Sequence, residues 1–147
     1  MRISQENVCA VFVTYNPKIL EFKENLNSVI KQVGKIIIVD NSTVEELQKE
    51  ITSFHNENVD IISLGENKGI TEAQDIGMAE AFKVYGAVIL LDEDSFLPNG
   101  FLRGLCQAYN QLLHSNKKVA CIGPVACDYN MKDHLEFHIS ENNNSLE

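Results

Sequence analysis

The feature that most constrains this chain is a repeated alternation of short apolar runs with amphipathic segments. "VCAVFVTY" at 8–15, "KIIIVD" at 35–40, "VDIISL" at 59–64, "GAVILLD" at 86–92 and "KVACIG" at 118–123 are β-branched and apolar over the length of a strand. Between them lie "KILEFKENLNSVIKQV" after Asn16-Pro17, "TVEELQKEITSF" after Asn41-Ser42, "ITEAQDIGMAEAFKVY" after the loop "GENKG", and "GFLRGLCQAYNQLLHS". In the first of these Leu20, Phe22, Leu26, Val29, Ile30 and Val33 fall near a 3.6-residue period and predict one buried face, with Gly34 as its stop. Ser42 or Thr43 is placed to cap the second, and Ile76, Met78, Ala79 and Phe82 mark the third. Strand and helix in strict alternation require crossover connections, which are right-handed and produce a mainly parallel sheet covered on both faces. The expected fold is therefore an α/β, Rossmann-like domain over residues 1–127, followed by an irregular tail from 128 to 147.

An open parallel sheet binds its ligand beyond the carboxyl ends of its strands, where the strand order reverses. Those ends are polar in every case: Thr14-Tyr15-Asn16, Asp40-Asn41-Ser42, Gly65 to Gly69, and Asp92-Glu93-Asp94-Ser95. The last is the most demanding. An apolar run that stops on three carboxylates places like charges side by side, which costs stability unless a cation or a donor-rich ligand compensates. Asp94, with Asp92, is a candidate holder of Mg²⁺ or Mn²⁺, hard cations that take oxygen ligands and bridge phosphates. Asp40 is suited to accept from the ring N–H of a pyrimidine, with Thr14 nearby for the carbonyls, and equally to cap the helix that follows it. Lys68 is a candidate phosphate contact.

Composition narrows the partners. The 147 residues are enough for one core, and a formal charge of −9 repels nucleic acid and anionic headgroups over most of the surface. Cys9, Cys106, Cys121 and Cys127 form no C-x-x-C pair and read as buried free thiols, which with the lack of a leader-like or membrane-spanning run points to the cytoplasm. Any attachment to the inner face of a membrane is left to parts beyond these residues. "VTYNPKI" contains no glycine, which argues against a dinucleotide fingerprint, and no Walker loop is present. A phosphate-accepting receiver would want paired acids where this chain has Thr14 and Asn16, and a sugar-phosphate nucleotidyltransferase would want a glycine-rich basic loop.

"VFVTYNP", "IIIVDNS", "ENKGITEAQDIG" and "LLDEDSF", in this order and spacing, resemble the nucleotide-sugar-binding half of family 2 inverting glycosyltransferases, especially the bacterial rhamnosyltransferase-like branch. The resemblance covers about residues 8–127. It implies a GT-A fold and a D-x-D pair that binds metal and donor diphosphate. It also implies a base pocket lined by Thr14, Tyr15 and Asp40, a donor loop shaped by Asn67 and Gly69, Asp92 near the ribose and Asp94 on the metal. Gln74 and Asp75 depart from the family, where many members carry Arg or Asn. The implied activity is transfer of a sugar, with rhamnose one option, from a UDP- or dTDP-sugar to a glycan or lipid-linked acceptor. The alternative is a noncatalytic nucleotide- or sugar-binding module. The family's catalytic base lies in the acceptor half, so the chain is expected to be a donor-binding fragment whose base lies elsewhere. His134 and His138, at i, i+4 spacing in the tail, are expected to be solvated rather than a metal pair; Glu93, Asp128, Asp133 and Glu136 are the acids to search for a base should this chain alone prove active; and Leu146-Glu147 is a candidate cloning scar.

Overall fold

A computed structural model describes residues 2–115 and 118–124. Four parallel strands, β1 (Val8–Thr14), β2 (Lys35–Asp40), β3 (Val59–Ser63) and β4 (Ala87–Asp92), form one sheet in the order β3-β2-β1-β4. Helix α1 (Ile19–Val29) connects β1 to β2, α2 (Glu45–Thr52) connects β2 to β3, and α3 (Ile70–Ala81) carries the chain back across the sheet to β4. The α/β, Rossmann-like expectation holds. The reversal of strand order falls between β1 and β4, whose register aligns Val13 with Asp92.

The sheet's two faces are covered differently. Phe22, Leu26 and Val29 of α1 and Ile51 of α2 pack on Ala10, Phe12, Ile36, Ile38 and Val59, with the Phe12 and Phe22 rings edge to face. Leu20 is 80% exposed. It lies about 200° around the helix from Phe22, and the half-buried Ile19 fills the inward position one turn earlier. On the other face α3 presents small residues, Ala73, Gly77 and Ala81, to Val11 and Val39, while Phe82 points to solvent. A Cβ on Gly77 would stand 2.4 Å from Val11 Cγ1 and 3.0 Å from Val39 Cγ2, so its lack of a side chain sets how closely this helix approaches the sheet.

Helix α4 (Phe101–His114) places Leu102, Leu105 and Cys106 against Ile3 and Val8. The fifth strand expected at 118–123 does not form: residues 118–124 carry no regular structure. An apolar run becomes a strand only by pairing, and β4 pairs with β1 alone, so its outer edge has no strand beside it among the described residues. The segment instead lines an apolar groove of about 640 Å³ along that edge, where Ala120, Cys121 and Ile122 share the lining with Val88, Leu90 and Phe96. Cys121 is consequently exposed rather than buried, whereas Cys9 and Cys106 are buried free thiols as expected, and Cys127 lies outside the described residues. Among the described residues no helix is long and apolar enough to cross a membrane.

Candidate functional site

Strands β2, β1 and β4 end side by side, and their last residues build two adjoining stations. The first is closed. Thr14, fully buried at the end of β1, donates its hydroxyl to Asp40 Oδ1 at 2.9 Å across the β1–β2 pair. The same oxygen accepts the Ser42 N–H at 2.9 Å. Asp40 is 1% exposed, and its Oδ2 accepts no hydrogen bond. A buried carboxylate oxygen without a donor is costly, which marks Oδ2 as the unsatisfied acceptor of this floor.

Two asparagines fix the loops around this floor. Asn41, also buried, accepts the Lys68 N–H at 3.1 Å and donates to the Gly69 carbonyl at 3.3 Å, tying the 65–69 loop to β2. Gly69 takes a φ of 84°, a left-handed conformation open to glycine, and its N–H meets Asn67 Oδ1 at 2.9 Å. Asn16, at φ 48°, accepts from the Thr43 and Val44 amides at 3.0 and 3.3 Å. The cap expected from Ser42 or Thr43 does not form: the N-cap of α2 is Val44, without a side-chain cap bond, and Asn16 instead ties down the two residues before the helix, while Ser42 Oγ accepts the Asn16 N–H at 3.0 Å. Neither asparagine's role was visible in the sequence beyond its place at a strand end, because each depends on which loops the fold brings together.

The second station, at the end of β4, is open. Asp92 and Asp94 are exposed, and the turn between them closes through the Ser95 N–H on the Asp92 carbonyl at 2.9 Å and the Asp92 N–H on Ser95 Oγ at 3.0 Å. Glu93 turns the other way: its Oε2 accepts the Tyr15 N–H at 2.7 Å and its carbonyl accepts Asn25 Nδ2 at 2.9 Å. Burial pushes the Glu93 pKa up. The Tyr15 N–H partly offsets this, and the charges of Asp94, Asp92 and Asp40 add to the rise, so the two stations share one negative field. With Glu93 engaged, the donor set left facing solvent is two carboxylates. No three His, Cys, Asp or Glu side chains converge as a metal cage among the described residues. That set fits Mg²⁺ or Mn²⁺ held by one or two carboxylates and completed by phosphate oxygens, and does not fit an all-protein site.

Of the remaining expected residues, Tyr15 exposes its ring beside these stations. Lys68 Nζ lies 3.4 Å from Glu72 and 3.9 Å from Glu66, so its charge is shared with acids of its own loop and helix. Gln74 is half-buried and Asp75 exposed on α3. Asp128, Asp133, His134, Glu136 and His138 lie outside the described residues.

The sequence model of Glycosyl transferase family 2 matches residues 9–144. The chain is 36% identical over 128 residues to the dTDP-rhamnosyl transferase RfbF of Shigella flexneri, a match covering 83% of this chain and 39% of that protein. The chain therefore spans about two fifths of the length of that relative. The crystal structure of S. aureus TarS 1–349 superposes with a TM-score of 0.53 at 22% identity, over 71% of this chain and 32% of that one, a likeness of fold.

Proposed function

The chain belongs to glycosyl transferase family 2, and from that premise we propose that it is the donor-binding part of an inverting, metal-dependent enzyme. The donor is a UDP- or dTDP-sugar and the acceptor a glycan or lipid-linked hydroxyl. The thymidine and rhamnose alternative draws its support from the RfbF relative's printed activity. The observation that carries the reading is the adjacency of the two stations: a buried Asp40 with an oxygen lacking a donor, and an exposed Asp92–Asp94 pair on the far side of β1. A pyrimidine nucleoside diphosphate has matching chemistry at its two ends, a ring N–H and a diphosphate.

In this reading Asp40 accepts the ring N–H while Thr14 and the Tyr15 ring wall the base, Asn67 and Gly69 shape the loop beside the donor, and Asp92 lies near the ribose. Asp94, with Asp92, holds Mg²⁺ or Mn²⁺, which when bound offsets the charge of the departing diphosphate. Lys68 contacts phosphate only by exchanging Glu72 and Glu66 for it. The acceptor hydroxyl needs a base within hydrogen-bond reach, and Glu93, occupied by the Tyr15 N–H, is not placed as one. The reading assigns the base to a part of the enzyme outside the described residues. The buried free thiols Cys9 and Cys106 support a reducing, cytoplasmic setting.

Competition binding tests it. UDP or dTDP should outcompete ADP, and Asp40→Ala should erase most of that preference, at a cost of about 1.5–3 kcal/mol for a hydrogen bond to a charged group. Equal affinity of the wild-type chain for all three nucleotides would contradict the pocket assignment.

A further inference from the structure

The middle acid of the cluster has a geometry that neither station's chemistry calls for. The β1–β4 register ends with Val13 opposite Asp92, so Tyr15 lies past the last rung and its N–H has no strand partner. Glu93 Oε2 meets that N–H at 2.7 Å and takes the place of a further ladder acceptor. Glu93 is held from a second side by Asn25 of α1, which donates to its carbonyl. Tyr15 stands between Thr14, whose hydroxyl is on Asp40, and Asn16, whose side chain fastens the start of α2. A displacement of Tyr15 therefore moves both neighbours, and Glu93 sits between the two exposed acids in sequence.

We propose that Glu93 is a positioning residue: by accepting the Tyr15 N–H it locks the turn after β1 to the acid end of β4, so that the nucleobase floor and the metal station keep one fixed separation. The inference rests on the donor-site reading for its second half, the coupling to nucleotide binding. Its first half, the lock itself, stands on the hydrogen-bond geometry alone. What the lock requires is an acceptor oxygen at this position, not a negative charge, which separates Glu93 from its neighbours: Asp92 and Asp94 would serve a cation and need their charge.

The test uses the full chain and two readouts. Amide hydrogen exchange followed by NMR, without nucleotide or metal, should show the Tyr15 amide exchanging roughly tenfold faster in Glu93→Ala than in wild type, the equivalent of one lost hydrogen bond. Glu93→Gln, whose side-chain carbonyl still accepts, should restore protection. UDP affinity measured in EDTA should fall by a similar factor in Glu93→Ala and recover in Glu93→Gln. Unchanged Tyr15 exchange in Glu93→Ala overturns the lock. Faster exchange with unchanged UDP affinity overturns the coupling. A folded Glu93→Gln chain whose Tyr15 amide exchanges about tenfold faster than wild type shows that charge rather than acceptance matters, and overturns the proposal whether or not the alanine variant folds. Failure of wild type to bind any pyrimidine nucleotide would sink the donor-site reading and the coupling together, while the exchange result would still decide the lock.

Discussion

The ends of β2 and β4 lie on either side of β1, and they are built in opposite ways. At β2 every polar group is buried and engaged except Asp40 Oδ2: Thr14, Asp40, Asn41 and Ser42 form a network with the loops that follow β1 and β3. At β4 the acids Asp92 and Asp94 face solvent and only Glu93 reaches inward. The strands themselves show the same contrast. β2 is central, buried along almost its whole length, whereas β4 has no outer neighbour among the described residues and leaves Leu90 40% exposed. The difference teaches that one sheet edge can carry a buried, interlocked polar floor beside an open pair of carboxylates. Buried polar networks specify geometry because breaking them is costly, and exposed carboxylates exchange cations because little holds them otherwise.

Stability measurements can break the comparison. Asp40→Ala strips the acceptor from the Thr14 hydroxyl and the Ser42 N–H, both buried, and should lower unfolding free energy in urea by about 2–3 kcal/mol. Gly77→Ala tests the packing beneath the same floor. Its methyl would stand 2.4 Å from Val11 Cγ1, and overpacking should cost about 1–3 kcal/mol although alanine is the better helix former. At the other station Asp94→Asn should leave urea stability within about 0.5 kcal/mol of wild type. A loss there as large as that at Asp40 would mean that the acid end is structural, and the contrast would fail.

The smallest expected effect concerns pH, in metal-free buffer. Burial and the surrounding acids hold Glu93 above its ordinary range, so the folded chain binds this proton more tightly than the unfolded one. The stability it contributes is complete below its unfolded pKa and is lost as pH rises through the folded one. Glu93→Gln, with no such proton to lose, should therefore gain slightly on wild type above that window and forfeit the gain below it. Urea titrations from acidic to neutral pH check this, and a gain that grows as pH falls would reverse the assigned sign.

The sequence carried much of this and missed identifiable parts. The four strands and four helices could be read because apolar periodicity is local, and the strand-end positions of Asp40 and the 92–94 acids could be read because a polar residue closing an apolar run stands out. Asn16 as the tie to the residues before α2 and Asn41 as the tie to the 65–69 loop could not, since each partner lies about 27 residues away in sequence. The run at 118–123 has a strand's composition, but composition does not supply a pairing partner. Cys121, carried by that run, is exposed for the same reason. Leu20 failed for a simpler reason: an apolar residue one step off the helical stripe is still apolar.

The central claim is that the two stations bind opposite ends of one ligand, and isothermal titration calorimetry tests it most directly. UDP or dTDP should bind the wild-type chain more tightly with Mn²⁺ than with EDTA, Asp94→Asn should lose most of that gain while keeping the metal-free affinity, and Asp40→Ala should weaken both. Identical nucleotide affinity in Mn²⁺ and in EDTA would contradict the account.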